Sequence, residues 1–337
     1  MGKKGILLVN LGTPDSPEVA DVRKYLDQFL MDERVIDINA FKRTLLVKGI
    51  IVPFRSPKTA KLYKKIWGEK GSPLLYYSLI QAAKLQEQLG EDYHVELAMR
   101  YQNPSIIAAL EKMKTGLVES IKVIPMFPQY ASASTGSVIQ NVMEIVSKWP
   151  TIPPISFVNS FHDNELVIET FADNAQKHNP QSFDHLLFSF HGLPERQLLK
   201  CDHTGSYCLK NENCCDNFND KNKFCYSAQG HHTAQLIADK LSISRDNYTV
   251  CFQSRLGKEP WVQPYTTDVL KKLAAEGKKR LLVLSPAFVA DCLETLYEIT
   301  VEYHEEFRAL GGEQVQLVES LNDNPKFITA LAQMAVS

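Results

Sequence analysis

The chain has 337 residues, of which 44% are hydrophobic and 23% are charged, and its formal net charge is −2 at pH 7. This is the composition of an ordinary globular protein, and the near-neutral balance gives no support for a nucleic-acid partner, which usually needs a basic face. No stretch approaches the roughly 18 apolar residues of a membrane-spanning helix, so we expect a cytoplasmic protein that at most touches a membrane face.

Short apolar runs alternate with amphipathic stretches along the whole chain. The first run, in MGKKGILLVNLGTP, is too short for a secretory signal and predicts a buried strand. The predicted strands, in chain order, are 5–11, 95–99, 121–125, 185–190, 249–253 and 280–285. Amphipathic patterns such as 17–30, 104–115 and 228–241 predict helices between them. Because non-alternating strands separated by helices are typical of parallel sheets covered on both faces, the predicted fold class is α/β.

Two pairs of segments are similar to each other across the chain. LLVNLGTP (7–14) is similar to LLFSFHGLP (186–194), and VIPMF (123–127) is similar to LSPAF (284–288). Two related α/β halves explain both pairs, and chance similarity between apolar strands is the alternative. We predict two doubly wound lobes, residues 1–160 and 161–314, with 315–337 crossing back to complete the first.

Residues 41–67, FKRTLLVKGIIVPFRSPKTAKLYKKIW, combine apolar clusters with lysines and arginines and contain no acidic residue. Such a mixture is typical of a lip that meets a membrane surface or guides an apolar ligand. An ordinary pair of basic helices has the same composition. Both interpretations stay open at the level of the sequence.

The residues that directly follow the predicted strands are candidates for a binding site, because ligands of open parallel sheets bind beyond the carboxyl ends of the strands. Arg100 and Tyr101 follow one strand, and Trp261 follows another. An arginine for carboxylates and aromatic faces for a flat body suit an anionic, planar, hydrophobic ligand. Ordinary packing explains each of these residues when it is taken alone.

His191 stands immediately after the predicted strand 185–190 and is followed by Gly192 and Pro194. Gly-x-Pro makes a sharp turn and prevents an immediate helix, so we expect the imidazole at the mouth of a cleft. A histidine at that place is able to accept a proton near neutral pH or to ligate a metal. Its structural alternative is a histidine that caps the turn.

The chain has seven cysteines, and five of them lie in the segment KCDHTGSYCLKNENCCDNFNDKNKFCYSAQ. An odd total in a large cytoplasmic chain argues against a disulfide framework and favours metal or cluster binding. The spacing lacks the paired C-x2-C knuckles of a zinc ribbon, whereas thiolates from an irregular polar loop suit an iron–sulfur cluster or zinc. Without a metal, exposed thiols on one loop would be an oxidation liability.

The segment 291–310 reads as an amphipathic α-helix with an acidic stripe. At 100° per residue, its carboxylates fall within an arc of about 80°. Acidic helix faces normally meet water, which is the structural alternative. No lysine or arginine interrupts the stripe, and repelling carboxylates gain from a cation between them, so the stripe also suits a divalent metal in transit. The carboxylates are Asp291, Glu294, Glu298, Glu302 and Glu305.

Taken together, these segments resemble the ferrochelatases. The similar segments, in family order, are GILLVNLGTPDSPEVADVRKYLDQFLMDERVIDI, SPLLYYS, RYQNP, PQYASASTGS, SFHGLPER, SRLGKEPW and SPAFVADCLETLYEI. They span almost the whole chain, and SFHGLP together with the last two is highly specific. The resemblance implies two Rossmann-like lobes with a porphyrin cleft between them. It also implies insertion of ferrous iron into protoporphyrin IX, the terminal step of haem biosynthesis.

The resemblance also implies a role for particular residues. His191 is similar to the family's active-site histidine, and Glu294 to its metal-side glutamate, with Asp291 and Glu298 as neighbouring carboxylates. The porphyrin-pocket residues implied are Arg100, Tyr101 and Trp261, and residues 41–67 are similar to the family's hydrophobic lip. Whether His191 accepts the pyrrole protons or ligates the iron stays open, as do the oligomeric state and the choice between protoporphyrin and coproporphyrin.

The chain departs from many members of the family by an insertion that contains the cysteine segment. Some ferrochelatases carry a [2Fe–2S] cluster, and here the C-terminus has no cysteine beyond Cys292, so a cluster would be internal. The ligands that we prefer are Cys208, Cys214, Cys215 and Cys225, with Cys201 in reserve. The insertion, residues 201–225, falls in the second lobe, which also carries the metal-side residues.

Three other functions agree with fewer features of the sequence. A cobalt chelatase of the same fold tends to use more histidines at its metal face, where this chain has Ala290 and Cys292. A non-catalytic haem or iron sensor is expected to have lost His191 or Glu294. A redox protein built around a cluster has no need of the pocket motifs.

Overall fold

The computed structural model describes residues 2–210, 213–255, 257 and 259–337. These residues form two compact α/β units. The first unit contains residues 2–127, 131–160 and 327–337, and the second contains residues 128–130 and 161–326. Among the described residues, no helix has both the length and the apolar character needed to cross a membrane.

The first unit is built on a four-stranded parallel sheet with the strand order β2-β1-β3-β4. Its strands are β1 (Lys4–Gly12), β2 (Tyr93–Tyr101), β3 (Ser120–Pro125) and β4 (Ile155–Phe157). The α-helices are α1 (Val19–Met31), α2 (Ala40–Leu46), α3 (Val52–Ile66), α4 (Pro73–Leu89), α5 (Ile106–Thr115) and α6 (Ser137–Val146). Short π-helical segments occupy Val47–Ile51 and Ser132–Gly136. The central strand β1 is apolar and buried because helices cover both faces of a parallel sheet.

The second unit repeats this plan with the strand order β6-β5-β7-β8, again with all strands parallel. Its strands are β5 (His185–His191), β6 (Tyr248–Gln253), β7 (Arg280–Leu284) and β8 (Gln314–Leu317). Its α-helices are α7 (Glu165–Gln176), α8 (Glu195–Cys201), α9 (Tyr226–Lys240), α10 (Thr266–Ala275) and α11 (His304–Ala309). Helix α12 (Pro325–Val336) follows, and its residues from 327 onward group with the first unit. Single 3-10 turns lie at Pro180–Ser182 and Arg245–Asn247.

The similar segments of the sequence lie at equivalent places in the two sheets. Counted within its own unit, each sheet has the order second, first, third, fourth. The similar pair LLVNLGTP and LLFSFHGLP begins in β1 and β5, the first strand of each sheet, and the pair VIPMF and LSPAF begins at the end of β3 and β7, the third strand of each. The two α/β halves therefore share one topology.

All six predicted strands are present, within two residues at each end. The two strands that the sequence did not reveal, β4 and β8, are short edge strands at equivalent places in the two sheets. We expected residue 315 to begin the return to the first lobe; instead, Val315 lies in β8, where it pairs with Leu281 of β7.

The segment after β7 also differs from the expected α-helix over 291–310. A π-helix occupies Glu294–Tyr303 and continues into α11. A π-helix closes its turns with i→i+5 hydrogen bonds and often marks a functional site, so its side chains do not follow the spacing of 100° per residue. Asp291 lies before the first helical residue and is not part of the helix.

The glycine at the end of β1 lies too close to β2 to carry a side chain. Gly12 has a φ of +115° at the end of β1, and an added Cβ would collide with the backbone oxygen of Tyr101 on β2. Only glycine fits so close to a neighbouring strand with this backbone conformation.

Candidate functional site

His191 ends strand β5 and lies in register with Gln253 of β6. Its Nδ1 is 2.8 Å from the backbone oxygen of Gly192. Because a carbonyl oxygen only accepts hydrogen bonds, Nδ1 carries the hydrogen and donates it. In the neutral ring the Nε2 lone pair is then left to accept a proton or to ligate a metal. The Tyr226 hydroxyl donates to the backbone oxygen of His191 at 2.9 Å and fixes the end of the strand.

The turn after His191 is closely packed against the end of β6. The Gly192 N–H donates to the backbone oxygen of Gln253 at 2.7 Å. A Cβ at this position would lie 2.9 Å from that oxygen and 3.2 Å from both the Ser254 oxygen and Cε3 of Trp261. The sequence-predicted residues His191 and Trp261 therefore belong to one local structure, in which the indole packs beside the turn.

Glu298 is the most strongly bonded carboxylate of the π-helix. It accepts hydrogen bonds from Gln253 Nε2 at 3.0 Å, from Ser254 Oγ at 2.7 Å and from the Tyr303 hydroxyl at 2.9 Å. Burial, followed by the charge of Glu298, raises the pKa of Tyr303 far above its usual range, so this hydroxyl stays a donor. These three donors hold the Glu298 carboxylate in one place.

Gln253 joins this carboxylate to the histidine strand. Its side chain is buried, and its Oε1 accepts a hydrogen bond from Ser189 Oγ on β5 at 2.7 Å. Its Nε2 donates to Glu298 and also to the backbone oxygen of Glu294, at 3.2 Å. One amide thus fixes the beginning of the π-helix relative to the strand that carries His191.

Glu294 is half-buried at the first turn of the π-helix. The buried Cys292 thiol lies against it, and burial, followed by the charge of Glu294 and a hydrogen bond to it, raises the pKa of that thiol. The thiol is therefore neutral and donates to the carboxylate. Glu302 and Glu305, further along the same chain segment, are exposed to solvent.

Asp291 occupies a different environment from the one that the acidic stripe implied. Its side chain is buried, and its carboxylate accepts hydrogen bonds from Asn322 Nδ2 at 2.7 Å and from Thr295 Oγ1 and the Ser320 N–H at 3.2 Å each. These bonds tie the chain before the π-helix to the segment after β8. Asp291 is thus separated from the stripe by backbone conformation and by burial.

Arg100 and Tyr101, at the end of β2 in the first unit, share the carboxylate of Asp32. Arg100 Nη2 donates to Asp32 Oδ2 at 2.7 Å, and the Tyr101 hydroxyl donates to the same oxygen at 2.9 Å. Arg100 Nε also donates to Ser137 Oγ at 2.6 Å. Tyr101 is buried, and burial, followed by the charge of Asp32, raises its pKa. The Arg100 guanidinium is partly exposed to solvent, whereas the Tyr101 phenol is buried.

The cysteines of the insertion converge at the beginning of α9. Cys225 precedes the first residue of that helix, and its sulfur accepts hydrogen bonds from the Cys208 and Cys215 thiols. These two bonds, with backbone N–H groups of the helix, hold the pKa of Cys225 well below its usual range. Cys214 Sγ lies 3.8 Å from Cys215 Sγ. Cys201 is half-buried nearby, and burial raises the pKa of its thiol.

The loop that carries these cysteines is itself held by polar side chains. Asp202 accepts hydrogen bonds from the N–H groups of Tyr207 and Cys208, at 2.9 Å each. Asn222 donates to the backbone oxygen of Cys214 at 2.9 Å. The sulfurs are therefore placed by a structured loop, described here for residues 201–210 and 213–225.

Sequence reasoning did not find the residues that orient the candidate ones. Gln253 and Ser254 at the end of β6 and Tyr303 on the π-helix hold Glu298, and Asp32 and Ser137 hold Arg100. The signal available for Gln253 and Ser254 was their place at a strand end, the same signal that selected His191. Tyr303 carried no signal, because its contact depends on the π-helical backbone.

Comparison with known proteins gives a consistent result. The family model described as Ferrochelatase matches residues 3–337. A ferrochelatase of Legionella pneumophila (strain Paris) is 43% identical over 331 residues, covering 98% of this chain and 97% of the relative. A ferrochelatase of Coxiella burnetii (strain Dugway 5J108-111) is 41% identical over 337 residues, covering 99% and 93%. Among solved structures, SirB from Bacillus subtilis with Fe3+ has a TM-score of 0.51 at 12% identity, covering 98% and 93%, which supports the fold alone.

Proposed function

The chain belongs to the ferrochelatase family, and we propose on this basis that it inserts ferrous iron into a porphyrin for haem synthesis. It is a metal chelatase. In this reaction Fe²⁺ replaces two pyrrole protons, so the site needs a proton acceptor and a carboxylate that can receive the metal. The observation that carries the proposal is the Nδ1–H···O bond from His191 to Gly192, which leaves Nε2 as the acceptor.

Each site residue receives a role in this proposal. Nε2 of His191 accepts the pyrrole protons, and Glu294, half-buried at the start of the π-helix, receives the ferrous ion. Glu298 supports it as a neighbouring carboxylate held by three donors. We assign Asp291 a positioning role, because its carboxylate is buried and already accepts three hydrogen bonds. His191 as an iron ligand is the alternative assignment.

The porphyrin contacts are also proposed from the geometry. Trp261 offers a flat apolar face beside the His191 turn, as a planar macrocycle requires. The exposed part of the Arg100 guanidinium suits a propionate, and its bond to Asp32 would orient it. Tyr101 then acts through Asp32, because its own ring is buried. We propose protoporphyrin IX as the natural substrate.

The direct test is anaerobic incubation of the purified protein with Fe²⁺ and protoporphyrin IX, followed by the loss of porphyrin fluorescence. We expect His191→Asn to lower the rate by about 10²–10⁴-fold. His178→Asn is the matched control, because His178 pairs with Glu319 away from this turn. Activity with coproporphyrin alone, or with Co²⁺ in preference to Fe²⁺, would change the substrate. No metallation of either porphyrin would contradict the proposed function.

Binding of Fe²⁺ to the His191→Asn variant separates the two roles of the histidine. If iron still binds but porphyrin is not metallated, the histidine is the proton acceptor. If iron no longer binds, the histidine is a ligand and Glu294 becomes the candidate base.

We also propose a [2Fe–2S] cluster on Cys208, Cys214, Cys215 and Cys225, with Cys201 in reserve. The support is the convergence of these sulfurs around Cys225 on a loop with its own polar framework. A cluster bound there would supply a one-electron redox centre and a covalent cross-link of the loop. Anaerobically purified protein should contain acid-labile sulfide and show visible charge-transfer bands. Cys215→Ser should remove both, whereas Cys201→Ser should retain them; wild-type protein without either signal would defeat the proposal.

Finally, we propose that the protein is cytoplasmic and touches the membrane surface through residues 41–67. In the helices α2 and α3 and the π-helical segment between them, four large apolar side chains are more than half exposed: Phe41, Leu45, Ile50 and Phe54. Clustered exposed apolar residues mark interaction surfaces, and the surrounding lysines and arginines favour an anionic one.

A further inference from the structure

A second group of metal-ligating side chains lies in the second unit, apart from the residues assigned above. One nitrogen each from His162 and His232 and a carboxylate oxygen of Asp163 lie within 4.8 Å of one another. His162 precedes helix α7, and His232 lies on α9, six residues after Tyr226, which is about 9 Å along a helix. Over all the residues that the structure describes, no other group of three such side chains brings its ligand atoms this close together.

The distances suit a metal ion. His162 Nε2 is 3.3 Å from His232 Nδ1. This separation is that of a hydrogen bond between the two rings, which holds them side by side. His162 Nδ1 is 3.8 Å from Asp163 Oδ1, so an ion bound beside this carboxylate would be bound through Nδ1 and not through the Nε2 that contacts His232.

The polar atoms of the group are not satisfied by the protein alone. His162 is 5% exposed, and its Nδ1 is buried without a hydrogen-bond partner among the described residues. Buried polar atoms are normally bonded, so an orphan beside a carboxylate and a second imidazole needs an explanation. Burial lowers the pKa of both histidines, that of His162 to about 4, so both rings are neutral at pH 7 and have lone pairs for a metal.

The surrounding residues hold the two rings in place. Thr233, fully buried beside His232, donates to the backbone oxygen of His162 at 2.8 Å and so ties α9 to the chain before α7. Phe218 stacks on the His232 ring, with centroids 4.5 Å apart and planes at 7°, and its centroid is 5.0 Å from that of His162. Asp163 is more than half exposed, which leaves an entry path from solvent. The group is therefore rigid on one side and open on the other.

We propose that His162, Asp163 and His232 form a binding site for a divalent transition-metal ion, distinct from the site of iron insertion. Two imidazoles and one carboxylate with open positions suit ions of borderline softness, the class to which Zn²⁺ and Fe²⁺ belong, and do not suit Mg²⁺, which prefers oxygen ligands. Phe218 belongs to the cysteine insertion, so an ion here would stabilise the segment on which that insertion packs.

The test is equilibrium dialysis of the full-length protein against Zn²⁺, with bound metal counted per chain. Wild type is compared with His232→Ala, Asp163→Asn and the control His178→Ala, which removes a histidine beside a single carboxylate. Metal held by the cysteine loop or by the iron-insertion site is common to all four proteins and cancels in the comparison. Unfolding curves recorded without metal verify that each variant folds. Asp163→Asn is the variant least expected to disturb folding, because the Asp163 side chain is exposed.

We expect His232→Ala to bind one equivalent less, Asp163→Asn to bind that equivalent about tenfold or more weakly, and His178→Ala to match wild type. Zn²⁺ should also raise the unfolding temperature of wild type more than that of His232→Ala, and Mg²⁺ should do neither. Equal stoichiometry and affinity in all four proteins, or equal binding of Mg²⁺, would overturn the proposal.

Discussion

The Tyr303 hydroxyl donates a hydrogen bond at 2.9 Å to Glu298, which lies five residues earlier on the same helix. In an α-helix, residues five apart point in directions about 140° apart, so their side chains do not meet. The π-helix over Glu294–Tyr303 brings them to one side. The environment of the carboxylate therefore depends on an unusual backbone and not only on the residues present.

Tyr303→Phe should remove one donor from Glu298 and leave the ring packing intact. Loss of a hydrogen bond to a charged group costs about 1.5–3 kcal/mol of unfolding free energy. Because the carboxylate would then have one donor fewer to hold it in place, iron insertion should also become slower at constant pH. A rate of iron insertion no lower than that of the control Tyr93→Phe would show that the reaction does not depend on the bond from Tyr303 to Glu298.

Gly192→Ala should destabilise the protein by about 1–3 kcal/mol, because the new methyl group would overlap the Gln253 and Ser254 oxygens and the Trp261 ring. Denaturant unfolding measures this change. The rate of iron insertion should fall by more than the loss of folded protein accounts for, because His191 and Trp261 would both shift. Gly68→Ala is the matched control, since a methyl group there meets nothing within 4 Å; equal effects of the two substitutions would contradict the packing argument.

Stability should decrease as the pH falls from about 6.5 towards 4. Burial lowers the pKa of His185 from 6.5 to about 4, and its Nε2 shares a hydrogen bond with Thr249 at 2.8 Å. Between these values the unfolded chain binds more protons than the folded chain, so the unfolding free energy falls with falling pH. His162 and His231 have pKa values lowered to about 4 in the same way. His185→Gln should therefore reduce the slope of unfolding free energy against pH without abolishing it; an unaltered slope would exclude His185.

Phe41→Ser with Phe54→Ser should weaken binding to anionic lipid vesicles by about 10²–10⁴-fold, because each buried phenylalanine contributes about 1.5–3 kcal/mol. Vesicle sedimentation measures the bound fraction. Leu117→Ser is the control, since Leu117 is 81% exposed elsewhere in the first unit. If wild type does not sediment with the vesicles, or if the control loses as much binding, residues 41–67 are not a membrane lip.

The parts of the structure that could be predicted from the sequence are those governed by local pattern. The six longer strands contain largely apolar runs, whereas β4 and β8 have only three and four residues and partly exposed sides. His191 and Trp261 could be predicted as site residues because ligands of open parallel sheets bind beyond the carboxyl ends of the strands. The bond between Gln253 and Glu298 joins residues 45 apart in sequence, and the π-helix replaces the expected periodicity; neither leaves a local signal.

The two strand-end glycines show which part of this turn the two units have in common and which part differs. Gly12 and Gly192 occupy matching positions in the repeated segments, and each backs onto the neighbouring strand so closely that no side chain fits. The residue before the glycine is Leu11 in one half and His191 in the other. The turn thus forms around an apolar side chain as readily as around an imidazole. It follows that a substitution at the residue before either glycine can change the side chain at the strand end without disturbing the backbone contact that the glycine makes.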